Sequence, residues 1–270
     1  MSQRKLAIVT GASSGIGLEL AKLSAHDGYD LVVAADTPLV EAAGELGGYG
    51  VEVENVEADL STFEGVDRLL AAVGGRDVDA LFANAGHGLG HAFLDQDPAE
   101  WRHVIDTNIT GTIYLIQKVA QRMVARGEGR ILITGSIAGH IAGAFHAVYN
   151  GSKAFIDSFS DALHNELKDS GVTVTCLKPG ATETEFFHRA DLDDTFVGQM
   201  KKDDPADVAK AGYKAMMKGE RSEVYSLKNK LQVAGAQVLG GGVSAAVHRK
   251  QAEPGTAEKV PGFLRKDDGE

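Results

Sequence analysis

Tyr149 and Lys153 stand four residues apart in the run YNGSK, a spacing that places a phenol and an ammonium on one helical face. A free tyrosine, with a pKa near 10, is a poor proton carrier at neutral pH. Lowering that value by about 3 units takes about 4 kcal/mol of preferential phenolate stabilisation. A cation at about 4 Å in an effective dielectric of about 20 supplies about that much. The pair therefore offers acid–base chemistry by a phenol, provided other groups stand beside it. Ser136, thirteen residues upstream, follows an apolar run and a glycine, where its hydroxyl can bond a substrate oxygen as its charge changes. Asn108 lies in a helical run after Trp101. Its amide either anchors a proton-relay water or satisfies buried backbone groups.

A second kind of chemistry is written in TGASSGIG, Thr10 to Gly17, which follows the first apolar run and opens a helical one. Glycines there allow positive φ and a close backbone approach, and the helix N-terminus attracts a pyrophosphate. Gly11, Gly15 and Gly17 are spaced G-x-x-x-G-x-G, with Ser13, Ser14 and Ile16 completing the expected dinucleotide contact. The next apolar run ends at Asp36, where a carboxylate accepts bonds from ribose hydroxyls and repels a 2′-phosphate. No Lys or Arg occurs between Lys22 and Arg68, so NAD is expected over NADP unless a distant residue supplies the cation.

These groups need a scaffold that gathers strand ends. Strands are expected at Leu6–Val9, Leu31–Ala35, Val51–Val56, Val78–Phe82, Ile131–Thr134 and Val172–Leu177. Most are apolar throughout, as in strands covered on both faces. Amphipathic stretches alternate with them: Ile16, Leu20 and Leu23; Trp101, Ile105, Thr112, Leu115 and Val119; Phe155, Phe159, Leu163 and Leu167. The alternation predicts a doubly wound parallel α/β sheet of Rossmann type with helices on both faces. One domain is expected over residues 1–270, with a cofactor and catalytic core to about 190 and a substrate lid over about 191–225. Residues from about 226 would form an extension. Pro205–Lys218 reads as a short helix, Gly240–Gly242 breaks another, and the charged tail from Glu253 reads as a surface extension, with disorder left open.

Composition narrows the partners. With 27 Lys and Arg against 38 Asp and Glu, the net charge is -11 and no basic block occurs, so neither nucleic acid nor an anionic membrane surface is expected. Cys176 is the only cysteine, which rules out an intrachain disulfide and reads as core filler. Without a signal-peptide pattern or a long apolar run, a cytoplasmic protein is expected. His87, His91, His140 and His146 are expected in solvent-facing loops around the site, and no metal site is expected from their spacing. The pairs Asp193–Asp194 and Asp203–Asp204 read as a solvated face and a helix start before Pro205.

Taken in order, TGASSGIG, NAG at Asn84–Gly86, Asn108, GSIAG at Gly135–Gly139, YNGSK and PGATET at Pro179–Thr184 resemble the short-chain dehydrogenase/reductase family over about residues 5–190. The resemblance implies an oxidoreductase passing a hydride between nicotinamide and a small-molecule secondary alcohol or carbonyl. It implies a proton relay of Asn108, Ser136, Tyr149 and Lys153, in which Tyr149 exchanges the proton and Lys153 lowers its pKa and holds the nicotinamide ribose. It further implies cofactor contacts from Asp59 and Leu60, from Asn84, Ala85 and Gly86, and from Pro179, Gly180, Thr182 and Thr184. A homodimer or homotetramer through the helices bearing Asn108 and Tyr149 is implied as well. Ala83 departs from the usual NNAG, and Asn150–Gly151 from the usual small or apolar pair. Two other readings stay open: a dinucleotide sensor without turnover, and an isomerase or lyase built on the same fold.

Overall fold

A computed structural model of the chain describes residues 4–266. Seven parallel strands form one sheet in the order β3-β2-β1-β4-β5-β6-β7. They are β1 (Leu6–Thr10), β2 (Asp30–Ala35), β3 (Val53–Glu57), β4 (Ala80–Ala83), β5 (Gly129–Thr134), β6 (Val172–Lys178) and β7 (Ser222–Val224). The helices between them are α1 (Gly15–His26), α2 (Val40–Gly47), α3 (Phe63–Val73), α4 (Pro98–Ile105), α5 (Thr112–Arg126) and α6 (Ala147–Glu166). After β6 come two single turns, α7 (Phe186–Arg189) and α8 (Phe196–Gln199), then α9 (Pro205–Met217) and the long α10 (Leu227–Ala252).

The continuous apolar character of the strands follows from two cores, one on each face. Leu6 and Ile8 of β1 pack with Val66 of α3, Ile116 of α5 and Ile156 of α6. Their neighbours Ala7 and Val9 point the other way, against Leu20 of α1, Leu46 of α2 and Val208 of α9. Period-two alternation thus sends successive β1 residues into opposite cores. Each large aliphatic side chain buried in this way contributes about 1.5–3 kcal/mol. The chain order reverses between β1 and β4, and in such sheets the crevice beyond the strand C-termini at that reversal is where ligands bind.

Differences from the sequence reading are local. β3 and β4 begin two residues later than expected, and β7, polar and three residues long, has no counterpart among the expected strands. The run from Trp101 to Val119 is interrupted by a π-helical turn at Asp106–Gly111. At Gly240, φ 73° and ψ 163° kink α10, yet the helix resumes and runs to Ala252. As far as Lys266 the tail is not a loose surface segment: Thr256 and Val260 are buried. Phe196 N–H bonds Thr256 Oγ1 at 2.9 Å, and Lys201 N–H bonds the Leu264 carbonyl at 2.7 Å, tying the tail to α8. Among the described residues, no helix is long and apolar enough to cross a membrane.

Candidate active site

The glycine turn is held by contacts that tolerate no side chain. Gly11 has φ +66°, and a Cβ on Gly17 would lie 2.0 Å from the Gly11 carbonyl oxygen. Ser14 flanks the N-terminus of α1 in extended conformation and makes no side-chain cap bond. Amide donors at this helix start are therefore not capped by that hydroxyl, as a pyrophosphate site requires. Asn84 fixes the turn against the sheet: its Nδ2 donates to the Thr10 carbonyl at 3.1 Å, and its Oδ1 accepts from Thr134 Oγ1 at 3.0 Å. Thr10 Oγ1 in turn accepts from the Asn84 and Ala85 amides, both at 3.0 Å.

One cavity of about 560 Å³ joins this turn to the phenol. Along it lie Gly11, Ser13, Ser14, Gly15 and Ile16, then Asp36, Asp59, Leu60 and Asn84–Gly86. Ser136, Tyr149 and Lys153 line the far end, with Pro179, Gly180, Thr182 and Thr184 along one wall. Gly17 and Asn108 do not reach the cavity wall. Thr184 Oγ1 accepts from the Phe186 amide at 3.3 Å, which braces the start of α7. The Phe186 ring then lies over the site, 5.1 Å between centroids from Tyr149.

Tyr149 and Lys153 do share a face of α6, but the expected electrostatic pairing is not what this geometry provides. Lys153 is buried, and its Nζ donates to the Thr134 carbonyl at 2.8 Å while standing 5.9 Å from the centroid of the Tyr149 ring. Part of the phenol ring faces the cavity, yet the group sits deep enough that burial pushes its pKa up to about 12, with the Ser136 hydroxyl pulling the other way and Asp157 adding to the rise. Burial also draws Lys153 down to about 8, against the opposing charge of Asp157. The desolvation cost on both groups outweighs the attraction that spacing alone suggests. Ser136 Oγ accepts from the Ala138 amide at 3.1 Å and caps the turn that follows β5.

Asn108 is buried and bonds the backbone of the loop after β4. Its Oδ1 accepts from the His87 amide at 2.7 Å, and its Nδ2 donates to the His87 carbonyl at 2.8 Å and to Ser152 Oγ at 2.9 Å. The amide is thereby committed to holding the loop after β4. His146 is a clearer correction: it is buried, where a solvent-facing loop was expected, and burial lowers its pKa to about 3. Of the other histidines, His91 bonds Asp191 at 2.7 Å and His140 lies 3.4 Å from the Asp157 carboxylate. Cys176 is buried, 3.5 Å from Asp157.

At the opposite end, Asp36 Oδ2 contacts His87 Nε2 at 3.0 Å and accepts from Arg189 Nη2 at 2.6 Å. The bond from His87 and the Arg189 guanidinium hold its pKa well below the usual carboxylate range. Arg189 is the distant cation that the local sequence around Asp36 lacks. It arrives from α7, 153 residues away, and nothing in its own sequence context signals the partner. Asp36, His87 and His103 also lie close enough to share a cation, but the Arg189 guanidinium already stands on two of them.

The family model described as short chain dehydrogenase matches residues 5–195. An uncharacterised oxidoreductase of Staphylococcus saprophyticus is 34% identical over 79% of this chain and 92% of its own length. A short-chain dehydrogenase from Sphingobium yanoikuyae in complex with NADPH is 29% identical, covering 87% of this chain and 95% of its own, with a TM-score of 0.78. A 3-ketoacyl-(acyl-carrier-protein) reductase from Brucella melitensis complexed with NADH is 27% identical, covering 82% and 96%, with a TM-score of 0.70.

Proposed function

The chain belongs to the short chain dehydrogenase family, and on that premise we propose that it is an NAD(P)-dependent oxidoreductase interconverting a secondary alcohol and a carbonyl, with Tyr149 as the acid/base. The observation that carries this reading is convergence: the glycine turn, Asp36, Ser136, Tyr149 and Lys153 all face one cavity at the switch point of the sheet. Gly11 and Gly15, both at positive φ and both lining the cavity at the start of α1, fit a dinucleotide pyrophosphate, and Gly17 packs against the Gly11 carbonyl behind them.

In this reading Gly11–Gly15 and the start of α1 hold the pyrophosphate, Asp36 the adenosine ribose, and Lys153 the nicotinamide ribose. A bound nicotinamide dinucleotide supplies the two-electron exchange and, when oxidised, a positive ring charge. Ser136 donates to the substrate oxygen and orients it. Tyr149, kept protonated by burial, is ready to give its proton to a carbonyl oxygen undergoing reduction. In the oxidative direction the phenol must first lose that proton, and Lys153 with the cofactor charge supplies the stabilisation that burial withholds. Asn108 positions the His87 loop at the cavity rim.

Asp36 favours NAD(H) over NADP(H). Arg189, seated on that carboxylate, offsets its charge and reduces the discrimination. Val124 of α5 and Phe155 of α6 are exposed apolar positions on the helices through which a homo-oligomer would pack.

The test is direct. Purified protein is titrated with NADH and NADPH by fluorescence, then screened against ketones and alcohols for absorbance change at the nicotinamide band. Binding with turnover supports the reading. Binding without turnover across the screen supports a sensor, and product formed without net cofactor change supports an isomerase or lyase.

A further inference from the structure

Behind the turn that carries Ser136 lies a carboxylate that does not reach the cavity. Asp157 follows Lys153 by four residues and Tyr149 by eight, so the three side chains share one face of α6. It is the only buried acidic side chain among the described residues. A buried carboxylate is rare unless it is paired, and here the backbone makes room for one. A Cβ on Gly135 would strike Asp157 Oδ1, and one on Gly139 would stand 2.8 Å from Oδ2. The two glycines of the Ser136 turn thus accommodate the carboxylate. Lys153 Nζ reaches the same strand end, on the carbonyl of Thr134, the residue before Gly135.

Charged and titratable groups face Asp157 from three elements. On α6, Lys153 precedes it, while Asp161 follows it and is engaged by Arg221 Nε at 2.8 Å. From the turn after β5, His140 Nε2 lies 3.4 Å from Oδ2. From β6, Lys178 Nζ lies 3.7 Å from Oδ2, and the Cys176 thiol donates to Oδ1 at 3.5 Å. Burial pushes the Asp157 carboxyl up, while Lys178, His140 and Lys153 favour its ionised form. Cys176 stays a thiol, since burial pushes it up to about 12, and His146 beside the Tyr149 ring is kept neutral by burial. Asp157 is therefore the buried negative charge that the pair Tyr149–Lys153 meets.

Building on the oxidoreductase reading above, we infer that Asp157 is a positioning residue whose buried charge sets the pH range over which Tyr149 and Lys153 exchange their proton. The reason is one of sign. A negative charge raises the proton affinity of the groups near it, and it acts so on both the phenol and the ammonium. The two titrate as a coupled pair, so neutralising Asp157 moves the pair as a whole to lower pH. A role in packing alone would change rates and leave those midpoints in place.

The experiment follows kcat/KM against pH for an alcohol with NAD and for its ketone with NADH, beginning with 1-phenylethanol and acetophenone. Wild type is compared with Asp157→Asn, which keeps the volume between the two glycines, and Asp157→Ala, which does not. Both variants remove the charge, so in both the midpoints should move to lower pH by about 0.5–1 unit, a rate change of about three- to tenfold on the flanks. Infrared spectra of wild type at pH 8 should show no band from a protonated buried carboxyl group. Midpoints that stay in place, or move to higher pH, overturn the inference and leave the oxidoreductase reading standing. A shift in Asp157→Ala alone assigns the effect to packing and overturns it as well. A protonated carboxyl band in wild type overturns it even if neither variant folds. If wild type turns over no alcohol or ketone, the inference and the reading beneath it fall together.

Discussion

Acid should weaken this fold through His146 in a way that can be isolated. The side chain is 5% exposed and its pKa in the folded protein is lowered to about 3 by burial. In the unfolded chain a histidine titrates near 6.5. Above that pH both states hold the neutral ring, and the group makes stability independent of pH. Below it the unfolded chain takes up a proton that the folded protein refuses, so stability is lost progressively as pH falls toward 3. The loss is about 2 kcal/mol at pH 5 and about 3 kcal/mol at pH 4, at about 1.4 kcal/mol per pH unit. Carboxylates titrate over part of the same range, so the contribution is read as a difference between wild type and His146→Gln. Urea unfolding at pH 7 and pH 5, followed by circular dichroism, should show wild type losing about 2 kcal/mol more than the variant between those values. Parallel losses in the two proteins would refute the claim that His146 is held neutral by burial.

Two further substitutions probe the cofactor end. Gly17→Ala should weaken NADH binding by more than about tenfold and destabilise the fold by about 1–3 kcal/mol, because the new methyl meets the Gly11 carbonyl oxygen and the Asn84 amide and pushes the glycine turn out of place. Gly44→Ala in α2, where a Cβ meets nothing within 4 Å, is the control and should instead stabilise by up to about 1 kcal/mol. Thermal unfolding and NADH fluorescence measure both, and equal behaviour of the two variants would contradict the cradle. Asp36→Ala should shift the ratio of NADPH to NADH affinity upward at least about tenfold, a change of only about 1.4 kcal/mol. It removes the carboxylate and releases Arg189 for a 2′-phosphate. An unchanged ratio in direct binding would place the adenosine ribose elsewhere.

The sheet and the site were legible in the sequence to different depths. A buried parallel strand such as β1 announces itself, since both faces demand apolar residues and Leu6–Val9 is apolar throughout. The turn from Gly11 to Gly17 and the pair Tyr149–Lys153 are local patterns, so their spacing alone places them. What depended on distant contacts stayed hidden. β7 carries no apolar signature because it is short and only partly buried. The tail from Glu253 looks solvent-seeking, yet Thr256 and Val260 find α8 and its surroundings. Arg189 reaches Asp36 only when α7 folds across the cleft. Burial of His146 is likewise set by α10, which packs alongside it and is far away in the chain. The acidity that spacing predicts for Tyr149 is lost for a related reason. Coulomb attraction to Lys153 can be guessed from a separation of four residues, whereas desolvation is known only once the cavity is built.

In the proposed reaction the phenol of Tyr149 is the group that exchanges a proton with substrate. That role is tested most directly by measuring turnover and NADH affinity in Tyr149→Phe, using a ketone that wild type reduces. The expected result is a fall in kcat of at least about a hundredfold, the contribution typical of a positioned acid or base. NADH binding should stay within about threefold of wild type, well short of the about 1.4 kcal/mol that a tenfold loss represents. Wild-type turnover by the Phe variant would contradict the assignment outright.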